Sequence, residues 1–198
     1  MQLFILATAA ALLAGAIWRT WAAVRPSQPP PEDEPPALRP EETAAAAERL
    51  GEAIDLLREV MDHPQLGGPG SLTVQFPQQL YAGSFPTVTA QFPNIIEALY
   101  SRAVRRELEQ GELVEAGVPE RLFGHNPSFS AEGGGVVLIS AEVYGLAPSL
   151  EKQLADRRGR GAALTALAEA LRQRYPELSV RSFGADLLLS PLREADRG

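Results

Sequence analysis

The 198-residue chain contains no cysteine, which excludes disulfides, iron–sulfur ligation, thiolate zinc sites and a cysteine nucleophile together. Histidine is nearly missing too. His63 and His125 are the two present, far apart in turn-like stretches, and neither sits in a His-Glu-x-x-His motif. Gly-x-Ser-x-Gly and EF-hand spacings are also absent, so hydrolytic metal, serine and calcium templates lack their local signatures. Positive charge is scarce: 18 Lys and Arg stand against 25 Asp and Glu, a net charge of -7. That is the wrong sign for a protein that gains affinity by neutralising phosphates, so no nucleic-acid partner is expected. From Glu41 onward 15 basic residues face 22 acidic ones, so no basic domain is concealed by an acidic tail. Lys152 is the one lysine. The arginine bias, with the many Ala, Gly and Pro, reads as codon composition.

What is present is segregated along the chain. Met1 to Trp18 carries no charge, and 18 residues at ~1.5 Å rise cover about 27 Å, close to the ~30 Å hydrocarbon core of a bilayer. Residues 1–24 are therefore expected to be a transmembrane anchor, with Trp18 and Trp21 at headgroup depth and Arg19 snorkelling to the interface. Ala14-Gly15-Ala16 resembles a signal-cleavage site, but only Met1 and Gln2 precede the apolar run, so the positive segment of a signal peptide is missing. Arginines follow the span and none precedes it, which places the soluble part on the cytoplasmic or equivalent inner side. Seven of the 17 prolines fall between Pro26 and Pro40, so residues 25–40 form a semi-rigid, charged, polyproline spacer. Residues 192–198 read as a polar tail.

Residues 41–191 are expected to fold as one small α+β or α/β domain. Ala47, Leu50, Ile54, Leu57 and Met61 recur at helical spacing, and Pro64 with Gly67-Gly68 stops that helix. A second helix is predicted over about 94–110. Val118 to Ser130 reads as loop, in which His125 satisfies a backbone carbonyl or water. Val136 to Tyr144 reads as an interior strand, Ala162 to Arg174 as a helix and Leu178 to Ser190 as another strand, giving a C-terminal strand–helix–strand unit. Gly133-Gly134-Gly135 precedes a strand and lacks the Gly-Lys-Ser/Thr of a phosphate loop, so it is a flexible connection.

Thr73-Val74-Gln75-Phe76-Pro77-Gln78 is echoed by Thr89-Ala90-Gln91-Phe92-Pro93-Asn94, and Phe85-Pro86 adds a third Phe-Pro pair. Each proline pushes the preceding residue toward extended geometry. Phe76, Phe85 and Phe92 are the candidate partner-binding residues if their rings are exposed; if buried, they cap the core. Arg157, Arg158 and Arg160, with Trp18, Arg19 and Trp21, are candidate lipid contacts, because basic groups beside an anionic leaflet each contribute about 1 kcal/mol. No catalytic, cofactor-binding or metal-binding residue is assigned.

The run Val136-Val137-Leu138-Ile139-Ser140-Ala141, the helix with Ala170-Leu171 and the ending Leu187-Leu188-Leu189-Ser190-Pro191 resemble an uncharacterised family of cyanobacteria and chloroplasts that includes the fluctuating-light acclimation protein of thylakoids. The low-complexity stretch of that family is typically glycine-rich, whereas here it is proline-rich, and Leu189 stands where a tryptophan is expected. The resemblance implies an accessory or regulatory role at a photosynthetic membrane and brings no catalytic residues.

These features predict a membrane-anchored accessory or scaffold protein that acts by protein contact and is not an enzyme. Two other readings stay open at this level: a secreted or periplasmic ligand-binding domain released by signal cleavage, and an enzyme that gathers His63 or His125 with a distant carboxylate. The anchor has a direct test. After carbonate extraction the chain should stay in the membrane pellet with its first residues intact, and a mature N-terminus at Ile17 would overturn the assignment.

Overall fold

Helix α1, Pro40–Asp62, starts on Pro40, whose fixed φ suits a first helical turn, with Glu41 and Glu42 at the positive end of the helix dipole. The computed structural model describes residues 38–64, 66, 70–79, 84–93, 100–101, 109–132 and 135–192. The anchor, residues 25–37 of the spacer, the polar tail after Leu192 and nearly all of the second predicted helix lie outside the described residues; Pro40, expected to close the spacer, instead opens α1, with Arg39 as its N-cap. Among the described residues no helix is long and apolar enough to cross a membrane.

After α1 come strands β1, Leu72–Gln75, and β2, Thr87–Phe92. A short helix α2, Gln110–Glu115, a 3-10 turn, Glu120–His125, and strands β3, Ser128–Glu132, and β4, Val136–Glu142, follow. Helices α3, Pro148–Ala155, and α4, Arg160–Arg174, precede strands β5, Leu178–Phe183, and β6, Asp186–Pro191. The six strands form one sheet in the order β3-β4-β2-β1-β6-β5. Every neighbouring pair is antiparallel. The fold is therefore α+β, and the α/β alternative is set aside by the antiparallel pairing.

Several local expectations are corrected by this topology. Leu178 to Ser190 is a hairpin and not one strand, because Gly184 at φ 63° occupies the first central position of a two-residue turn between the paired Phe183 and Asp186. β4 and β5 lie apart in the sheet, so the helical segment between them is not a parallel crossover of adjacent strands. The expected loop from Val118 to Ser130 holds the 3-10 turn and the start of β3. α2 ends at Glu115, and just beyond it Gly117, at φ 106°, lets Gly117 N–H reach Val114 O and Val118 N–H reach Leu113 O.

α1 and α4 pack on each other and on the sheet, and α3 packs on α4. Under them lie Val74, Val88, Phe92, Ile139, Ala141, Val180, Leu187 and Leu189 from the strands, facing Leu50, Ile54 and Leu57 of α1 and Leu167 and Leu171 of α4. Each large side chain so buried contributes about 1.5–3 kcal/mol. The alternate residues Thr73, Gln75, Thr87, Thr89, Gln91, Ser140 and Ser190 are only partly buried or exposed, and they share the other face with the partly buried Val136, Leu138 and Leu188. On that face Thr89 Oγ1 and Ser140 Oγ lie 2.8 Å apart across the β2–β4 pair.

The two long helices are fastened by a polar tie. Tyr175, just past α4, is 4% exposed, and its hydroxyl lies 2.7 Å from Asp55 Oδ1 and 3.1 Å from Gly51 O on α1. Arg174 donates to Asp55 Oδ2 at 2.9 Å and to the phenol oxygen at 3.1 Å. A Cβ at Gly51 would displace the Arg174 guanidinium and so loosen this tie. Burial, and then the hydrogen bond to Asp55, push the Tyr175 phenol well above its ordinary value of 10.0. The folded chain thus holds the proton to higher pH than the unfolded one, so this contribution is whole below about pH 10 and is lost as pH rises beyond it. Tyr175→Phe should cost about 1–2 kcal/mol in chemical denaturation at neutral pH, and the alkaline decline in stability should become shallower.

Candidate functional site

One end of the open sheet face carries the exposed aromatics. The β2–β4 ladder continues one step past the Thr87–Glu142 pair, with Val143 N–H donating to Pro86 O at 2.8 Å. The same register sets Phe85 directly across from Tyr144, on the face that also bears Thr87 and Glu142. The two rings meet edge to face, with centroids 4.7 Å apart and planes at 72°, a favoured aromatic geometry. Each residue is 38% exposed. Phe183, on the β5–β6 turn at the same end of this face, is 77% exposed.

Polar groups hold the pair in place. The Tyr144 hydroxyl donates to the Glu142 carboxylate, and that hydrogen bond, then burial and the carboxylate charge, raise the phenol above its ordinary value. His125 Nδ1 lies 3.1 Å from the Glu142 carbonyl oxygen. Because a carbonyl only accepts, Nδ1 carries the proton in that bond. His125 thereby takes up a carbonyl that β3 would bond if it ran further, and Asn126, left-handed at φ 43°, turns the chain out of the 3-10 turn into β3. Gly145, at φ 76°, leads the backbone away just beyond Tyr144. The result is an exposed aromatic ledge beside a carboxylate.

A second depression lies at the far end of α1. A cavity of about 190 Å³ is lined by Arg58, Met61, Asp62, Leu72, Glu177 and Pro191 among others, and it adjoins an open groove bordered by Asp55, Glu59 and His63. Its cation is committed to structure: Arg58 pairs with Glu177 at 2.7 Å and lies over the Tyr175 ring at 5.5 Å. The His63 ring packs on Gly117, where a Cβ would collide with it. No cluster of three or more metal-ligating side chains occurs among the described residues.

The expected site residues divide accordingly. Phe92 is fully buried and Phe76 is 5% exposed, so these two are corrected to core residues: the alternation that puts Val88 and Ala90 under α1 puts Phe92 there as well. Phe85 is the member left at the surface. Arg157 and Arg158 are exposed in the α3–α4 turn. Arg160 is corrected from lipid contact to helix cap, because its guanidinium donates to Leu154 O and Ala155 O at the end of α3. Trp18, Arg19 and Trp21 lie outside the described residues. His125 satisfies a backbone carbonyl as expected. Tyr144 and Glu142 were not singled out in the sequence. Their signal is two-residue spacing on a strand that ends in a glycine, which sets both on one face.

No family model, curated protein or solved structure matches this chain. The aromatic ledge has its own test. In Glu142→Gln the Tyr144 phenol should titrate closer to its ordinary value, read by NMR of ring-labelled tyrosine, whereas an unmoved titration would show that the carboxylate does not hold the ring.

Proposed function

We propose that this protein is a membrane-tethered accessory or scaffold protein whose α+β domain works by protein contact through the open face of its sheet. The observation that carries this reading is the Phe85–Tyr144 pair, an exposed aromatic contact fixed by strand register on both sides. Rigid aromatic side chains lose little entropy on docking and are enriched at the centres of interfaces. Around them the face offers neutral hydroxyl and amide groups from Thr87, Thr89, Gln75 and Ser140, which suit a polar rim. The uncharged N-terminal run and proline spacer support a single-pass anchor with the domain on the inner side, and the resemblance of the C-terminal half supports a photosynthetic membrane complex as the place of action.

The test places a photo-crosslinking residue at position 85 in the full chain, in its native membrane, with position 157 as an exposed control. Position 85 should capture one defined membrane-complex subunit that position 157 does not, and Tyr144→Ser should reduce the yield about tenfold, as expected for loss of a central contact. The same thermal midpoint in Tyr144→Ser would show that the loss is one of contact and not of fold. Equal capture at both positions would overturn the assignment of this face.

A further inference from the structure

The two edges of the sheet are not alike. Leu192 N–H donates to Glu177 O, so along β5 the odd residues bond to β6, and the N–H and C=O of Val180 point away from the sheet. That outward carbonyl is occupied: Arg172 of α4 donates to Val180 O from Nε at 3.1 Å and from Nη2 at 2.9 Å. A guanidinium on the edge blocks strand addition there.

The other edge is β3, which pairs with β4 alone among the described strands. Val143 N–H bonds toward β2, so Val137, Ile139 and Ala141 do as well, while Val136, Leu138 and Ser140 bond to their β3 partners Glu132, Ser130 and Ser128. The N–H and C=O groups of Phe129 and Ala131 therefore point outward, and no hydrogen bond from the described residues reaches them.

We propose that β3 is a homodimer edge, pairing antiparallel with β3 of a second copy about a two-fold axis through Ser130. The sequence Ser128-Phe129-Ser130-Ala131-Glu132 is self-complementary in this register. Phe129 of one copy lies across from Ala131 of the other, large against small on the helix-covered face, and these are the residues whose backbone groups are directed outward, so each pair exchanges both of its hydrogen bonds. On the open face Ser130 meets itself and Glu132 meets Ser128, so no like charges are opposed. The two Glu132 carboxylates are about 14 Å apart along the strands at ~3.4 Å per residue, beyond the ~8–10 Å screening length of physiological salt.

The absence of cysteine makes the test clean. In this register the Ser130 pair is the non-hydrogen-bonded kind, with Cα atoms about 4.5 Å apart, within the range a disulfide spans. The full chain in detergent should run as a dimer by light scattering, and Ser130→Cys under mild oxidation should give a disulfide-linked dimer. Ser128→Cys, which faces Glu132, should crosslink about tenfold more slowly or worse. Ala131→Pro removes an outward N–H and leaves the β3–β4 ladder intact, so it should halve the particle mass while circular dichroism stays unchanged. A monomeric wild-type chain at micromolar concentration, or equal crosslinking of the two cysteine variants, would overturn the proposal. If Ala131→Pro loses its structure, the comparison of the two cysteine variants decides alone.

Discussion

Among the described residues the helices that pack on the antiparallel sheet lie on one side of it, so every strand alternates, and the rest of the domain depends on that alternation. α1 takes Val88, Ala90 and Phe92 from β2, so Thr87, Thr89 and Gln91 must face the other way. A slip of one residue would exchange the two sets and set unpaired hydroxyl and amide groups against Ile54 and Leu57. The buried face thus fixes the position of the exposed one. Phe85 and Tyr144 meet because each continues the outward set of its strand by one step, Phe85 before Thr87 and Tyr144 after Glu142. Their contact is a consequence of core packing several residues away.

The parts legible in the sequence are those whose pattern is local. The apolar spacing from Ala47 to Met61 marks α1, bounded by Pro40 and the stop at His63-Pro64. The apolar run after the triple glycine marks β4, and Tyr175-Pro176 marks the end of α4. Other elements were hidden for physical reasons. β3 reads Ser-Phe-Ser-Ala-Glu, and as an edge strand it needs only half an apolar pattern, filled by Phe129 and Ala131 against the core. The β5–β6 turn was overlooked because Phe183-Gly184-Ala185-Asp186 lacks the Asn-Gly or Asp-Gly that announces a hairpin, while glycine alone supplies the positive φ. Strand order left no local trace: β4 pairs with β2 because a hairpin inserts beside a strand nearly fifty residues earlier, which no periodicity records.

Arginine deserves a different reading from the compositional one. Arg160 donates to two carbonyls at the end of α3, Arg172 donates twice to Val180 O and once to Glu169 Oε2, and Arg174 joins a phenol to a carboxylate on another helix. Each uses the planar fork of the guanidinium to reach two acceptors at once, which a lysine ammonium on a flexible stem does poorly. Arg58 adds a carboxylate partner and an aromatic face. The ties of Arg58, Arg172 and Arg174 lie at the C-terminal end of α4, and that of Arg160 lies at its start, against α3. The basic residues that first suggested a lipid surface are there partly spent on holding helices in register.

The proposed tether and the proposed dimer edge act on each other through geometry. Residues 25–37 of the proposed spacer, 13 residues before Leu38 joins the core, would reach about 40 Å at ~3.1 Å per residue if extended as polyproline. Anchored copies within that reach of one bilayer meet at an effective concentration far above their bulk value, so even a short edge contact through Phe129 and Ala131 can hold. A two-fold between antiparallel edge strands stands perpendicular to the sheet, so both helical layers fall on one side and both open faces on the other. The Phe85–Tyr144 ledges of two copies then look in the same direction. A partner in the membrane complex would meet a pair of ledges on one continuous sheet, and its second contact would cost less entropy than its first.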